Sequence, residues 1–195
     1  MKIDRTAPTK PSIVAKIGSS TGSTYTSGSW TNKNIWIQLS STDAHSGVKE
    51  YQWYENGAWT TRALTTSNGK GTITFSADRN ATIRFRTVDN VGNASEESTI
   101  VVRRDTVVPT IASLTASTTA ATNGKVTLTG KATDSLSGII AFQFSTNASL
   151  TASSSGWTTI TATTAQISKT YAATANGTYY FYVKDQAGDI AKKSI

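Results

Sequence analysis

The 195-residue chain contains no cysteine, one histidine, one methionine and three prolines. Without cysteine there can be no disulfide, thiol nucleophile or zinc–thiolate site. Secreted proteins with and without disulfides are both common, so this absence does not decide the compartment. A single histidine, His45, leaves little room for a triad, because sequence places neither a nucleophile nor an orienting carboxylate around it. Paired carboxylates, a phosphate-cradling glycine loop and HExxH spacing are also missing. No apolar run approaches the ~20 residues needed to span a bilayer, and Met1-Lys2-Ile3-Asp4 has no apolar signal core. Membrane insertion and catalysis are therefore not expected. The abrupt ends suggest a piece of a longer chain. No stretch sustains helical apolar spacing for more than a turn or two.

What the sequence has is Ser and Thr, roughly 30 % of residues against a much lower ordinary usage. The branched Cβ of Thr fits a pleated surface, which favours strands. Net charge is +7, with the Lys and Arg scattered rather than clustered. That pattern suits a solvated basic surface or attraction to an acidic polymer. Nothing resembles a nucleic-acid motif, and nucleic acid is not an expected partner.

The strongest signal is an internal repeat. Asp4-Arg5-Thr6-Ala7-Pro8-Thr9 recurs as Asp105-Thr106-Val107-Val108-Pro109-Thr110. TDAHSGV at 42–48 recurs as TDSLSGI at 133–139, AWTT at 58–61 as GWTT at 156–159, and NATIRFRTVDNVGN at 80–93 as NGTYYFYVKDQAGD at 176–189. Four blocks in one order, with offsets varying between about 91 and 101, place the insertions in loops. The repeat divides the chain at 1–104 and 105–195. Pro109 holds the junction extended.

Comparing the copies gives the strand faces by period-two alternation. Ile35, Ile37, Val126 and Leu128 are expected inside. So are Tyr51 and Trp53 with their partners Phe142 and Phe144, Ile83 and Phe85 with Tyr179 and Phe181, and Ile73 with Phe75. Gln52 and Gln143 should face out. Asn56-Gly57 signals a tight hairpin, and Asp89-Asn90-Val91-Gly92 a turn capped by Asp89 with Gly92 left-handed. About seven short strands per copy predict an all-β fold: two tandem immunoglobulin-like antiparallel β-sandwiches.

The order D-x-T-x-P-T, T-D-x-x-S-G-V, then a strand ending V-D-N-x-G-N resembles the bacterial Ig-like repeats of cell-surface and secreted proteins. The first copy fits closely. The second has Asp189 where the first has Asn93, and Ala121 where the first has Trp30. The resemblance implies a sandwich fold and an extracellular, cell-surface or secreted setting. It implies neighbouring domains of a parent chain as partners, and little about ligand, since such modules serve as spacers, adhesin tips or enzyme accessories.

Two candidate sites remain. In an Ig-type sandwich the loop after the second strand, the loop after the sixth and the start of the first strand share one end. Asp4, Asp43 and Asp89 should gather there in the first copy, and Asp105, Asp134 and Asp185 in the second. Either each Asp caps its own turn, or the second set holds a structural calcium ion, which accepts several oxygens in flexible geometry; no other cofactor is expected. The other candidate is aromatic. Trp36, Tyr54, Tyr180 and Tyr182 are expected on outer faces, where they either pack across strands or stack on cell-wall or host glycans or matrix protein. Trp59 and Trp157 recur, which favours packing. Trp30 is read as a plug over the module end, and no inward-facing Lys stands out for a Lys–Asn crosslink. The expectation is a monomeric, non-catalytic spacer with recognition as the alternative.

Overall fold

The structure is a computed structural model, and it describes residues 3–55, 57–60 and 69–195. The fold is an all-β sandwich, and the chain divides into two compact units. The first comprises residues up to Ser29 and Lys33–Arg104, the second Trp30–Asn32 and Asp105–Ile195. No helix among the described residues is long and apolar enough to cross a membrane.

Residues 12–104 form β1 (Ser12–Ile17), β2 (Trp30–Thr31), β3 (Ile35–Ser40), β4 (Val48–Glu55), β5 (Ala58–Thr60), β6 (Lys70–Phe75), β7 (Arg79–Asp89) and β8 (Ser98–Arg104). They form sheets of order β1-β3-β6 and β2-β8-β7-β4-β5. The second unit has β9 (Thr110–Ala116), β10 (Val126–Thr133), β11 (Ile139–Ser145), β12 (Thr158–Thr164), β13 (Gln166–Ala173), β14 (Tyr180–Asp185) and β15 (Ile190–Ser194). Its sheets run β13-β10-β9 and β12-β11-β14-β15. In both units the strand that follows the third long one, β5 or β12, pairs beside it rather than joining the opposite sheet.

The alternation in β3 shows why these residues make strands. Ile35, Ile37 and Leu39 are fully buried while Trp36 and Gln38 are half-exposed. Burying each Ile or Leu contributes about 1.5–3 kcal/mol, which fixes which face of the strand turns inward. The same rule places Tyr51, Trp53, Ile83 and Phe85 in the first core and Leu128, Tyr179 and Phe181 in the second. Phe142 and Phe144 are only partly buried against that second core. Phe144 packs against Phe181 with ring centroids 4.8 Å apart and planes tilted by 32°. Gly130, on β10, occupies the register position of Leu39 and gives the Phe181 ring the space a side chain would fill.

One expectation needs correcting. Gln52 is buried, not exposed, because its amide is caught between Glu50 Oε1 at 2.6 Å and Arg86 Nε at 2.8 Å on the outer face. Tyr25, 4 % exposed, joins the first core from the long segment between β1 and β3. Its hydroxyl donates toward Ser29 and Val101 carbonyls and accepts from the Arg103 amide at 2.9 Å. Trp30, read as a plug over the module end, is half-exposed in β2.

Both units carry a register shift at the same place, where the loop after β3 or β10 feeds the next strand. It falls between Val48 and Glu50 in one and between Ile139 and Ala141 in the other. Immediately before each shift a glycine, Gly47 or Gly138, has φ near +80°, a conformation other residues adopt only with strain. This turn-plus-bulge re-aims the chain and sets the position of the loop aspartates.

Candidate functional site

At one end of each unit the loop between the second and third long strands meets the turn after β7 or β14 and the residues leading into β1 or β9. Asp4, Asp43 and Asp89 come together in the first unit, and Asp105, Asp134 and Asp185 in the second, each set with one carboxylate oxygen per residue all within 4.8 Å of one another. Both recurrent triads are thus brought together. Two oxygens on opposite sides of a calcium ion, each about 2.3–2.6 Å from it, stand roughly that far apart. The spacing therefore fits one shared hard cation, and the all-oxygen donor set is the kind calcium takes.

Local sequence explains the assembly. The Asp of each T-D-x-x-S-G caps its own loop. Asp43 Oδ1 accepts the amides of His45, Ser46 and Gly47 at 3.1, 2.8 and 2.7 Å, and Asp134 Oδ1 accepts that of Gly138 at 2.6 Å. The Asp ending β7 or β14 does the same for its turn. Asp89 Oδ1 accepts the amides of Val91, Gly92 and Asn93, and Asp185 Oδ1 those of Gly188 and Asp189 at 2.7 and 2.8 Å. The Asp before each first strand bridges to the neighbouring loop. Asp4 Oδ2 accepts Ser46 N–H at 3.0 Å, and Asp105 Oδ2 accepts Ser137 N–H at 2.9 Å. Capping and convergence are thus the same structure: the carboxylates that hold the turns are the ones that meet, and of the six only Asp43 Oδ2 and Asp185 Oδ2 are buried without a hydrogen-bond partner among the described residues.

The two clusters differ in how those second oxygens are used. In the first unit Asn93 Nδ2 donates to Asp89 Oδ2 at 2.8 Å, and Ser46 Oγ lies 3.4 Å from Asp43 Oδ1. In the second unit Asp189 stands where Asn93 would be and has no proton to give. Asp185 Oδ2 and Ser137 Oγ are buried with no hydrogen-bond partner among the described residues. The first cluster has one such oxygen, Asp43 Oδ2. Asp105 and Asp185 are fully buried and Asp134 nearly so.

Charge follows the same division. Burial pushes Asp89 up, but its Asn93, Val91 and Gly92 donors outweigh this and hold its carboxyl below the ordinary range. The Thr6 amide, the Ser46 donors and nearby His45 hold Asp4 low as well. Burial pushes Asp185 up to about 7; the amides of Asp189 and Gly188 oppose this, and the charges of Asp189 and Asp134 add to it. Such crowding of buried carboxylates is costly without a compensating positive charge. His45 is a surface residue whose Nδ1 stands 3.9 Å from Asp4 Oδ1.

The aromatic candidates do not form one site. Trp36 is half-exposed on β3, paired in register with Lys16 and Thr74. On the outer face of β4-β5-β7, Tyr54 meets Trp59 edge-on with centroids 5.4 Å apart. Arg84 lies 4.5 Å over Tyr54, Arg86 lies 4.2 Å over Trp59, and Glu97 takes Arg84 through two 2.6 Å bonds. The repeat hid this cation–π ladder, because Arg84 and Arg86 align with tyrosines. Tyr182 is corrected: it is 1 % exposed. Alternation does turn it to the outer face, but the segment before β12 covers it. Its hydroxyl donates to the Asn147 carbonyl at 2.9 Å, and Trp157 meets it edge-on. Tyr180 beside it is half-exposed, with Lys192 Nζ 5.6 Å from its ring. Trp157 donates to the Thr151 carbonyl and sits under Lys184, which agrees with packing.

No protein-family model matches the chain, and comparison with curated proteins gives no match either. Among solved structures the chain is similar to fibronectin(III)-like modules of Clostridium thermocellum CbhA, with 21 % identity over 92 % of this chain and 90 % of that one and a TM-score of 0.39. It is similar to the D00-D0 domain of Intimin, with 15 % identity, 94 % and 98 % coverage and a TM-score of 0.41. A third similar structure is Bacteroides ovatus mixed-linkage glucan utilization locus SGBP-B in complex with a mixed-linkage heptasaccharide (12 % identity, 93 % of this chain, 56 % of that one, TM-score 0.21). At such identities and scores the fold rests on the strand order of each unit, not on these likenesses.

Proposed function

We propose that this chain is a non-catalytic structural pair of Ig-like modules from a bacterial cell-surface or secreted protein, spacing neighbouring domains of its parent, with calcium completing the loop end of the second unit. The observation that carries this reading is the buried Asp105-Asp134-Asp185 cluster with Asp185 Oδ2 left unpartnered. A module whose task is stiffness gains from a cation there, since one ion adds a shared tie to three segments otherwise joined by side chain–amide bonds and by the Gln186 amide donating to the Gly138 carbonyl at 3.0 Å. Asp105, Asp134 and Asp185 supply the carboxylates; Asp185 Oδ1 and Asp134 Oδ1 hold the loops in place through their amide bonds.

The test is thermal unfolding of the full chain in millimolar calcium and in chelator. A ligand present at 100 times its Kd stabilises by about 2.7 kcal/mol, which should raise the second unit's transition by several degrees. Identical transitions in both conditions would remove the calcium part of the reading.

A second reading, recognition of a glycan or matrix protein, is favoured by the half-exposed Tyr54–Arg84–Trp59–Arg86 ladder. Flat rings and guanidinium planes of this kind stack on sugar faces and serve as interface anchors. Binding to a panel of glycans, cell-wall polymers and matrix proteins at physiological salt tests it. A selective response that survives salt and falls in Trp59→Ala or Trp36→Ala favours recognition; a flat panel leaves the spacer.

A further inference from the structure

The two acidic ends were built from the same repeat, yet their internal hydrogen bonding is not the same. In the first unit Asn93 spends its amide protons on Asp89 Oδ2 at 2.8 Å and toward the Thr6 carbonyl at 3.4 Å. That side chain does, as a neutral donor, what a cation does for a carboxylate oxygen. In the second unit the residue at that place is Asp189, a further anion whose Oδ1 accepts the Asn32 amide at 2.7 Å and whose Oδ2 is buried without a partner among the described residues. Ser137 Oγ, whose counterpart Ser46 points at Asp43, is left with no partner as well. The second end therefore has more carboxylate charge and more buried oxygens without a partner among the described residues, and the amide that reaches it, Asn32 Nδ2, donates to Asp189 Oδ1 rather than to Asp185 Oδ2.

We infer that the two ends are cation sites of unequal strength, with the second unit's Asp105-Asp134-Asp185 cluster binding calcium much more tightly than the first unit's Asp4-Asp43-Asp89 cluster, and that the Asn93/Asp189 difference sets the ranking. The inference rests on the calcium reading above and adds to it which unit responds and why. Asp189 acts by position. It is not among the three residues whose oxygens converge; it removes the competing donor and adds negative charge beside Asp185. Calcium affinity in oxygen sites is tuned by ligand charge count, so one charge exchanged for one amide should change affinity about tenfold or more.

The experiment is calcium titration of the full chain by calorimetry, with hydrogen–deuterium exchange to locate the protected loops. In the unaltered chain the first equivalent of calcium should protect residues 134–138 and 185–189 before residues 43–47 and 89–93. Asp189→Asn should weaken the tight site about tenfold while leaving circular dichroism and the unit's fold intact. Asn93→Asp should strengthen the first unit's site by a similar factor, and this gain of function cannot come from misfolding. Equal affinities at both ends, or protection appearing first at 43–47, overturns the ranking but leaves calcium binding standing. No heat and no protection at either end overturns the calcium reading itself, and the ranking with it.

Discussion

Gly130 is a position where a single added methyl group should destabilise the second unit. Its backbone is that of an ordinary strand, outside the left-handed region, so Ala meets no torsional objection there. The objection is steric: a Cβ on Gly130 would lie 2.6 Å from both Cγ and Cε1 of Phe181, far inside the normal contact of about 3.5–4.0 Å between carbons. Phe181 cannot retreat, because it is fully buried and its ring lies 4.8 Å from that of Phe144. Overpacking of this kind costs about 1–3 kcal/mol. Against it stands the gain of about 0.5–1 kcal/mol from replacing a strand glycine by alanine. Gly130→Ala should therefore destabilise the second unit by about 1–2 kcal/mol net. For a unit of about 90 residues that lowers Tm by roughly 4–16 °C. Denaturant unfolding of the full chain, with hydrogen exchange resolving β10 and β14, measures it. Lys131→Ala, on the exposed neighbour, is the control. Phe181→Leu in the Gly130→Ala background should show favourable coupling, because the two groups touch. A Gly130→Ala chain as stable as the original, or more so, would refute the close-packing argument.

Other expectations concern Tyr25, the covered tyrosine and the acidic end. Tyr25→Phe leaves the Arg103 amide without its hydroxyl acceptor and should cost about 1–3 kcal/mol in first-unit stability by denaturant midpoint. Tyr182→Phe removes the bond to the Asn147 carbonyl; exchange should rise in residues 146–157 while glycan response, if any exists, stays constant. In chelator the second unit should be more stable at pH 5 than at pH 8. The Asp185 carboxyl is raised in the fold from 3.8 to about 7, so its contribution is fully present below about 3.8 and fades as pH rises through about 7. Melting scans across that window check the sign, and saturating calcium should flatten the trend.

The fold and the two aspartate clusters were readable in the chain because they rest on short-range rules. Asp43, Asp89, Asp134 and Asp185 each stand before a turn whose glycine takes positive φ, at Gly47, Gly92, Gly138 and Gly188, and the repeat shows that both copies keep the arrangement. The strand faces came from alternation, which β3 obeys at every position. Alternation names a face but not what lies on it. That is why Tyr182 and Gln52 were expected in solvent and are instead covered, one by a loop and the other by Glu50 and Arg86. Tyr25 escaped notice because it lies in an irregular segment with no period to mark it. Asn56, expected in a hairpin with Gly57, lies outside the described residues; Gly57 has φ of 83° in the turn joining β4 and β5. The contrast between Asn93 and Asp189 was visible as a substitution, but its meaning required knowing where Asn93 sends its amide protons.

The bond from Asp105 Oδ2 to the Ser137 amide has a mechanical consequence. Tension entering the second unit from its N-terminal side reaches residue 105 before it reaches β9. The first strand is held to β10 by its ladder, and peeling it would open those bonds one at a time. Asp105 lies upstream of that ladder and fastens the chain to the loop leading into β11, in the opposite sheet. Load is thus shared between two sheets before any strand begins to unzip. A cation at the same carboxylates would turn this single hydrogen bond into a clamp whose grip follows the calcium content of the surroundings.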